Sequence, residues 1–310
     1  MIVEERTAAY LRALEPDMPC YLEELEKNAV ADEVPIIRKD AQALLRFLMR
    51  ARRPKRILEI GTAVGFSCMY MAEYMPSEAR IATIEKVAMR VQPAKKNLAG
   101  SPRADGIALL IGDAADVLAG LAGGEAVYPY MEEHGDTVLA EEIRTEKCQN
   151  TGIVGETRME ECRNAGMAEC THAAPGAGSG ICRGRAAAAG QGKKLQRDVS
   201  WEVYLPAGES SLWQDGAFCE SYDFIFMDAA KGQYMNFLPY ILKLLAPDGM
   251  FVTDNVLQEG SIAESKFAVE RRDRTIHMRM REYLYELTHR AELNTAVLPV
   301  GDGMALCTFR

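Results

Sequence analysis

Between Arg56 and Leu121 the chain repeats strand, turn and helix three times. Short apolar strands alternating with helices of this length are buried by a parallel sheet with right-handed crossovers. The strands are Arg56–Ile60, Ile81–Ile84 and Ile107–Ile111; the helices are Ser67–Met75, Ala88–Leu98 and Ala114–Leu121, with Pro93 expected to interrupt the second or delay its start. Before this run, residues 1–33 read as two short amphipathic helices broken at Pro16 and Pro19. A further helix over Arg38–Arg50 places Ala41, Leu44, Leu45, Leu48 and Met49 on one face. The alternation resumes with strand Phe224–Met227, helix Tyr234–Leu245, strand Met250–Thr253 and a long helix over Arg274–Arg290. A hairpin closes the chain, Asn294–Val300 and Met304–Phe309 around Gly301-Asp-Gly303.

Between about Ala122 and Gly216 the pattern is suspended. This stretch carries an acidic helical piece (Thr137–Cys148), Gly/Ala-rich runs at 173–180 and 186–190, and few aliphatic residues. It reads as a largely mobile insertion, with Trp201–Leu205 as a possible strand within it. The expected organisation is therefore 1–121 and 217–310 as two halves of one α/β domain, and 122–216 as the insertion. The formal charge of −9 is concentrated there: residues 119–220 hold 16 Asp/Glu against 9 Lys/Arg. Total charge therefore lends nucleic-acid binding no support without excluding it. Cys148, Cys162, Cys170, Cys182 and Cys219 fall in the same segment without a C-x-x-C pair or a zinc spacing, so free thiols in a cytoplasmic chain are expected. No run of about 18 apolar residues offers a membrane span, and the acidic N-terminus does not resemble a secretory signal.

Four groups of residues at strand ends carry chemistry. The first is Glu59-Ile-Gly61-Thr-Ala-Val-Gly65-Phe-Ser67, after one strand and opening a helix. Its glycines allow close backbone approach to a ligand, and they also suit a plain tight turn. It is not G-x-G-x-x-G, which argues against an ordinary dinucleotide site. Glu85 ends the next strand, placed either to accept two ribose hydroxyls or to favour a helix N-terminus. Gly112-Asp113-Ala114 ends the third, where the Asp can take an adenine amino group. Finally, Asp228 and Asp254-Asn255 follow neighbouring strands. Two carboxylates and an amide oxygen suit a hard divalent cation such as Mg²⁺, although Asp254-Asn255 also suits a turn. Lys231, three residues beyond Asp228, is a plausible general base beside such a cation.

With these motifs the sequence resembles the class I S-adenosylmethionine-dependent methyltransferases, specifically the cation-dependent O-methyltransferases of catechol and caffeoyl-CoA type. Within them it more closely resembles the bacterial tRNA 5-hydroxyuridine methyltransferases, through Val34-Pro-Ile36, Asp228-Ala-Ala-Lys-Gly-Gln-Tyr234, Thr253-Asp-Asn-Val-Leu257, Arg271-Arg-Asp-Arg274 and Pro299-Val-Gly-Asp-Gly303. The resemblance covers about residues 20–121 and 220–310. It implies a Rossmann-like, doubly wound, seven-stranded and mostly parallel sheet whose last strand is antiparallel. It implies S-adenosylmethionine held by Ile37, Glu59, Gly61, Gly65, Ser67, Glu85, Asp113, Ala114 and Asp228, and Mg²⁺ held by Asp228, Asp254 and Asn255. It also implies Lys231 as base, a homodimer, and a wobble uridine of tRNA as substrate, with neither DNA nor membrane as partner. Arg52, Arg53, Lys55, Arg271, Arg272 and Arg274 are then candidate phosphate contacts, or equally a solvated basic surface. A small catechol or phenol is the competing acceptor. A non-catalytic donor-binding or RNA-binding module is disfavoured because Asp228, Lys231, Asp254 and Asn255 are all present.

Overall fold

The computed structural model describes residues 3–123, 201–208, 211–213, 218 and 221–310. The helical piece expected at Thr137–Cys148, the Gly/Ala-rich runs and Cys148, Cys162, Cys170, Cys182 and Cys219 lie outside the described residues.

Three helices come first: α1 (Glu5–Ala13), α2 (Cys20–Ala31) and α3 (Lys39–Arg52). The alternating units follow as β1 (Arg56–Ile60), α4 (Phe66–Tyr74), β2 (Arg80–Glu85), α5 (Ala88–Ala99), β3 (Ile107–Ile111) and α6 (Ala114–Leu121). After β4 (Glu202–Tyr204) come β5 (Tyr222–Met227), α7 (Tyr234–Leu244), β6 (Leu245–Thr253), α8 (Arg274–His289), β7 (Leu293–Leu298) and β8 (Met304–Phe309). They form one sheet in the order β4-β3-β2-β1-β5-β6-β8-β7. Strands β3, β2, β1, β5 and β6 are parallel; β8 runs antiparallel to both β6 and β7.

Eight strands replace the seven expected because β4 pairs antiparallel with β3, Leu110 opposite Val203. Trp201, just before β4, explains the neighbouring glycines: a Cβ on Gly112 would stand 2.8 Å from Trp201 Cβ. Pro93 does not interrupt α5, which begins at Ala88 and runs through it. The N–H it lacks is one bond, and burying Val91, Ala94 and Leu98 offsets that loss. Strand β6 also starts earlier than expected, with its register to β5 shifted between Tyr222 and Phe224, beside Gly249.

The central strands are buried on both faces, as a parallel sheet covered by helices requires. Ile57 and Phe226 face a core built with α2, α3, α4 and α5. Leu58, Ile60 and Met227 face the opposite core, built with α6, α7 and α8. The chain leaves β1 for β2 and β3 on one side, then returns to β5 on the other side of β1. The crevice at the C-terminal ends of β1 and β5 is therefore the topological switch point where such sheets bind ligands. Among the described residues no helix is long and apolar enough to cross a membrane.

Candidate active site

The sheet's hydrogen bonding runs one residue past each strand and so fixes the groups that follow. Gly61 N donates to Ile84 O at 3.1 Å, Gly112 N to Glu85 O at 3.0 Å, Asp228 N to Ile60 O at 3.0 Å and Asp254 N to Met227 O at 3.0 Å. Above these ends lies a cavity of about 640 Å³. Ile37, Gly61, Ser67, Glu85, Asp113, Ala114, Asp228, Lys231 and Asn255 line it, as do Arg38, Arg90 and Asp302.

The turn after β1 leaves no latitude at Gly61. Its φ is +108°, and a Cβ there would stand 2.1 Å from the carbonyl oxygen of Asp228. Gly65, at φ +91°, does not line the cavity; a Cβ there would meet Leu98 of α5 at 3.0 Å, so its role is packing between α4 and α5. The Glu85 carboxylate accepts three backbone N–H groups, from Ala63 (2.7 Å), Lys86 (3.0 Å) and Val87 (2.7 Å). That locks it at the cavity wall and, with about four lone-pair sites on a carboxylate, leaves capacity for a ligand hydroxyl. Asp113 caps α6 through Ala115 N at 2.9 Å and pairs with Lys86 at 3.2 Å. Its carboxylate therefore already has a structural duty.

Glu59 is placed beneath the cavity, not on its wall. It is fully buried; Thr83 Oγ1 donates to its Oε2 at 2.5 Å, and among the described residues Oε1 has no hydrogen-bond partner. Burial pushes its carboxyl up to about 7 against the hydroxyls of Ser67 and Thr83. Asp254 is likewise 1% exposed, directly behind Asn255, whose N–H donates to its Oδ1 at 2.7 Å. Asn255 adopts φ +58°, a left-handed conformation that Asn tolerates better than most residues. Tyr234 Oη donates to Asp254 O at 3.3 Å and packs edge-on against Tyr283, forming a floor under this corner.

Two carboxyls here are held far above the usual carboxylate range. Burial raises Asp228 to about 6, opposed by Lys231 and Arg90. Burial and the neighbouring Asp228 raise Asp254 to about 7. Among the described residues no three Asp, Glu, His or Cys side chains converge at metal-ligand spacing. The donor set is the half-buried Asp228 and the buried Asp254, two mutually repelling carboxylates, with an amide oxygen, and a divalent cation fits that deficit of positive charge. The sign of the pH dependence follows. Native pKa values above the ordinary value of about 4 mean that the folded state binds more protons, so stability falls as pH rises from about 4 to 7. Magnesium needs these groups ionised. Added Mg²⁺ is thus expected to raise the melting temperature by several degrees at about pH 8 and hardly at all at about pH 5. Equal shifts at both values in a calorimetric scan would contradict this cation site.

Sequence reasoning missed Asp302. It was read only as the centre of a hairpin turn, yet its Oδ2 lies 3.9 Å from Lys231 Nζ and its Oδ1 accepts from Glu259 N. The basic residues divide. Arg52, Arg53 and Lys55 lie where β1 begins, at the end of the sheet opposite the cavity, with Arg52 on Asp248 O and Lys55 N on Asp223. Five strand residues at about 3.3 Å each separate them from the cavity floor, so they make no contact with a reacting group. Arg271, Arg272 and Arg274 precede and open α8. Arg272 is paired with Glu270 and Asp273, and Arg274 donates to Val269 O.

The profile of the O-methyltransferase family matches residues 13–131 and 188–309. The chain belongs to the O-methyltransferase family. The match leaves out residues 132–187, inside the interruption read from the sequence. Caffeoyl-CoA O-methyltransferase 3 of Nicotiana tabacum is 34% identical over 98 residues, 30% of this chain and 39% of the relative. Catechol O-methyltransferase of Mycobacterium tuberculosis is 36% identical over 96 residues, 30% of this chain and 44% of the relative. The chain thus spans about two fifths of the length of these curated relatives. The O-methyltransferase TomG of Streptomyces achromogenes, solved in complex with SAM, shares the fold, with a TM-score of 0.59 at 18% identity over 99% of each chain.

Proposed function

We propose that this O-methyltransferase family member transfers a methyl group from S-adenosylmethionine to an acidic hydroxyl with the help of Mg²⁺. The preferred acceptor is 5-hydroxyuridine at the wobble position of tRNA. One observation carries the chemistry: Asp228 and Asn255 line the same cavity as Gly61, Glu85 and Asp113, with the buried Asp254 directly behind Asn255. Gly61, Ser67, Glu85, Asp113 and Ala114 would hold the donor, which supplies a methyl already activated on a sulfonium. Asp228, Asp254 and Asn255 would hold Mg²⁺, which supplies Lewis acidity to an acceptor hydroxyl. Ile37 closes the wall on the side of α3. Lys231 lines the cavity at the end of β5, and as the neutral amine it would take the hydroxyl proton, becoming the ammonium that Asp302, 3.9 Å away, then holds. In this reading Gly61, Glu85 and Asp113 would hold the donor, and Asn255 with Lys231 the acceptor hydroxyl, so that the two meet in line.

The tRNA acceptor is supported by the sequence words at 34–36, 228–234 and 299–303, and by the basic start of α8. Arg279 of that helix donates to Gly232 O, next to Lys231, so the helix borders the cavity rim. The second reading is a small catechol or phenol, favoured by the names of the relatives above. Lys231→Met is expected to lower kcat about 100-fold while the donor binds as before; an unchanged kcat would remove Lys231 from the chemistry. Mass spectrometry of wobble nucleosides in tRNA from cells lacking the gene separates the acceptors. The proposal expects 5-methoxyuridine to vanish and 5-hydroxyuridine to accumulate, and unchanged nucleosides would remove tRNA as substrate.

A further inference from the structure

Four cationic side chains line the cavity: Arg38, Lys86, Arg90 and Lys231. Lys86 is paired with Asp113, which also caps α6, and Lys231 with Asp302, which also accepts Glu259 N. The Arg90 side chain, on the first turn of α5, has no hydrogen bond or ion pair among the described residues and is an electrostatic neighbour of Asp228. Arg38 differs from all three. Its guanidinium donates to Glu259 Oε1 at 2.5 Å, and among the described residues the Glu259 carboxylate has no other hydrogen-bond or ion-pair partner. The two side chains are 36% and 62% exposed, and an ion pair so open to water adds little stability and exchanges readily. Arg38 also stands on the acceptor side of the cavity. Its Cβ packs beside Gly301 in the β7–β8 turn, and Asp302 and Asp254 are its electrostatic neighbours.

Glu259 is aimed at Arg38 by three successive left-handed residues, Gln258 (φ +46°), Glu259 (φ +57°) and Gly260 (φ +93°). The loop that carries them starts just after Asn255. Its far side is held by α8, where His277 Nε2 lies 3.1 Å from Ser261 O and Arg281 donates to Ile262 O at 3.2 Å. A carboxylate is thus presented, from outside the cavity, to a guanidinium that lines it.

We propose that Arg38 is a specificity-determining residue that recognises an oxyanion on the acceptor, a phosphate in the uridine reading, and that Glu259 is the placeholder this oxyanion displaces. The planar fork of a guanidinium meets two oxygens of a phosphate or carboxylate, which an ammonium cannot imitate. This deepens the proposed function and rests on it for the acceptor site alone. It predicts that acceptors bearing an anion bind better than their neutral counterparts.

The test is calorimetric binding, in the presence of S-adenosylhomocysteine and Mg²⁺, of two ligand pairs: 5-hydroxyuridine 5′-monophosphate against 5-hydroxyuridine, and 3,4-dihydroxybenzoate against catechol. The wild-type protein is expected to favour the anionic member of at least one pair about tenfold. Arg38→Met should erase that preference without weakening the neutral member, Arg38→Lys should restore it only in part, and Glu259→Gln should enlarge it. Equal binding of both members by the wild type, loss of both in Arg38→Met, or binding of no ligand would overturn the proposal. A preference erased by Arg90→Met and kept by Arg38→Met would also overturn it, moving the anion site to α5. Turnover is read separately. Methylation of catechols but of neither uridine compound would end the uridine reading and leave the Arg38 result standing.

Discussion

Replacing Asp254 by Ala is expected to lower cation-dependent methyl transfer by about three orders of magnitude while the donor's affinity changes less than about threefold. The size follows from what is removed. A cation acting as Lewis acid is worth several kcal/mol to the transition state, and each 1.4 kcal/mol or so is tenfold in rate. The selectivity follows from position: Asp254 is buried behind Asn255 at the end of β6, whereas Gly61, Glu85 and Asp113 follow β1, β2 and β3. Asp254 also accepts the Asn255 N–H at 2.7 Å, so the Ala variant removes a turn contact together with the charge. Asp254→Asn separates the two, since an amide oxygen still accepts that bond. If Asp254→Asn turned over at the wild-type rate, the carboxylate would be a turn residue and nothing more. Steady-state kinetics against Mg²⁺ and calorimetric donor binding make the comparison.

Gly61→Ala is expected to be the most damaging single methyl in the domain. The added Cβ would overlap the Asp228 carbonyl oxygen at 2.1 Å, and φ at +108° strains any L side chain. Backbone, not a flexible side chain, stands in the way, so β1 and β5 must separate at the cavity floor. A cost above about 4 kcal/mol is expected, together with loss of measurable donor binding. Gly65→Ala is the comparison. Its φ is also left-handed, at +91°, but its Cβ meets the mobile end of Leu98 at 3.0 Å, so a cost of about 2 kcal/mol is expected. Urea titrations showing equal losses for the two variants would refute the close approach at Gly61.

These contrasts mark what the sequence discloses. The parallel strands, the switch point and the cluster at 59–67, 85, 112–114, 228 and 254–255 were legible because each is local. An apolar run ends, and a residue with ligand chemistry or glycine's freedom follows it. Asp302 was not legible as a site residue, because Asp-Gly in a hairpin has a sufficient local explanation. Only the antiparallel return of β8 beside β6 brings it to Lys231. Arg38 and Glu259 are 221 residues apart, and no periodicity links them. Glu59 reads from the sequence as a donor contact, whereas the sheet buries it beneath the cavity, and Asp254 reaches the cavity corner from behind Asn255. Strand β4 was only a possibility because three residues in a polar stretch carry almost no pattern. It becomes a strand by pairing with the exposed edge of β3.

The account stands most directly on methyl transfer measured with and without a divalent cation. The protein is dialysed against a chelator, supplied with S-adenosylmethionine and tRNA containing 5-hydroxyuridine, and titrated with Mg²⁺ while the methylated nucleoside is quantified by mass spectrometry. The expected result is product that rises with Mg²⁺ from a negligible chelated baseline, and no such rise in Asp254→Asn. Full turnover in the chelator, with the same rate after Mg²⁺ is added, would contradict it.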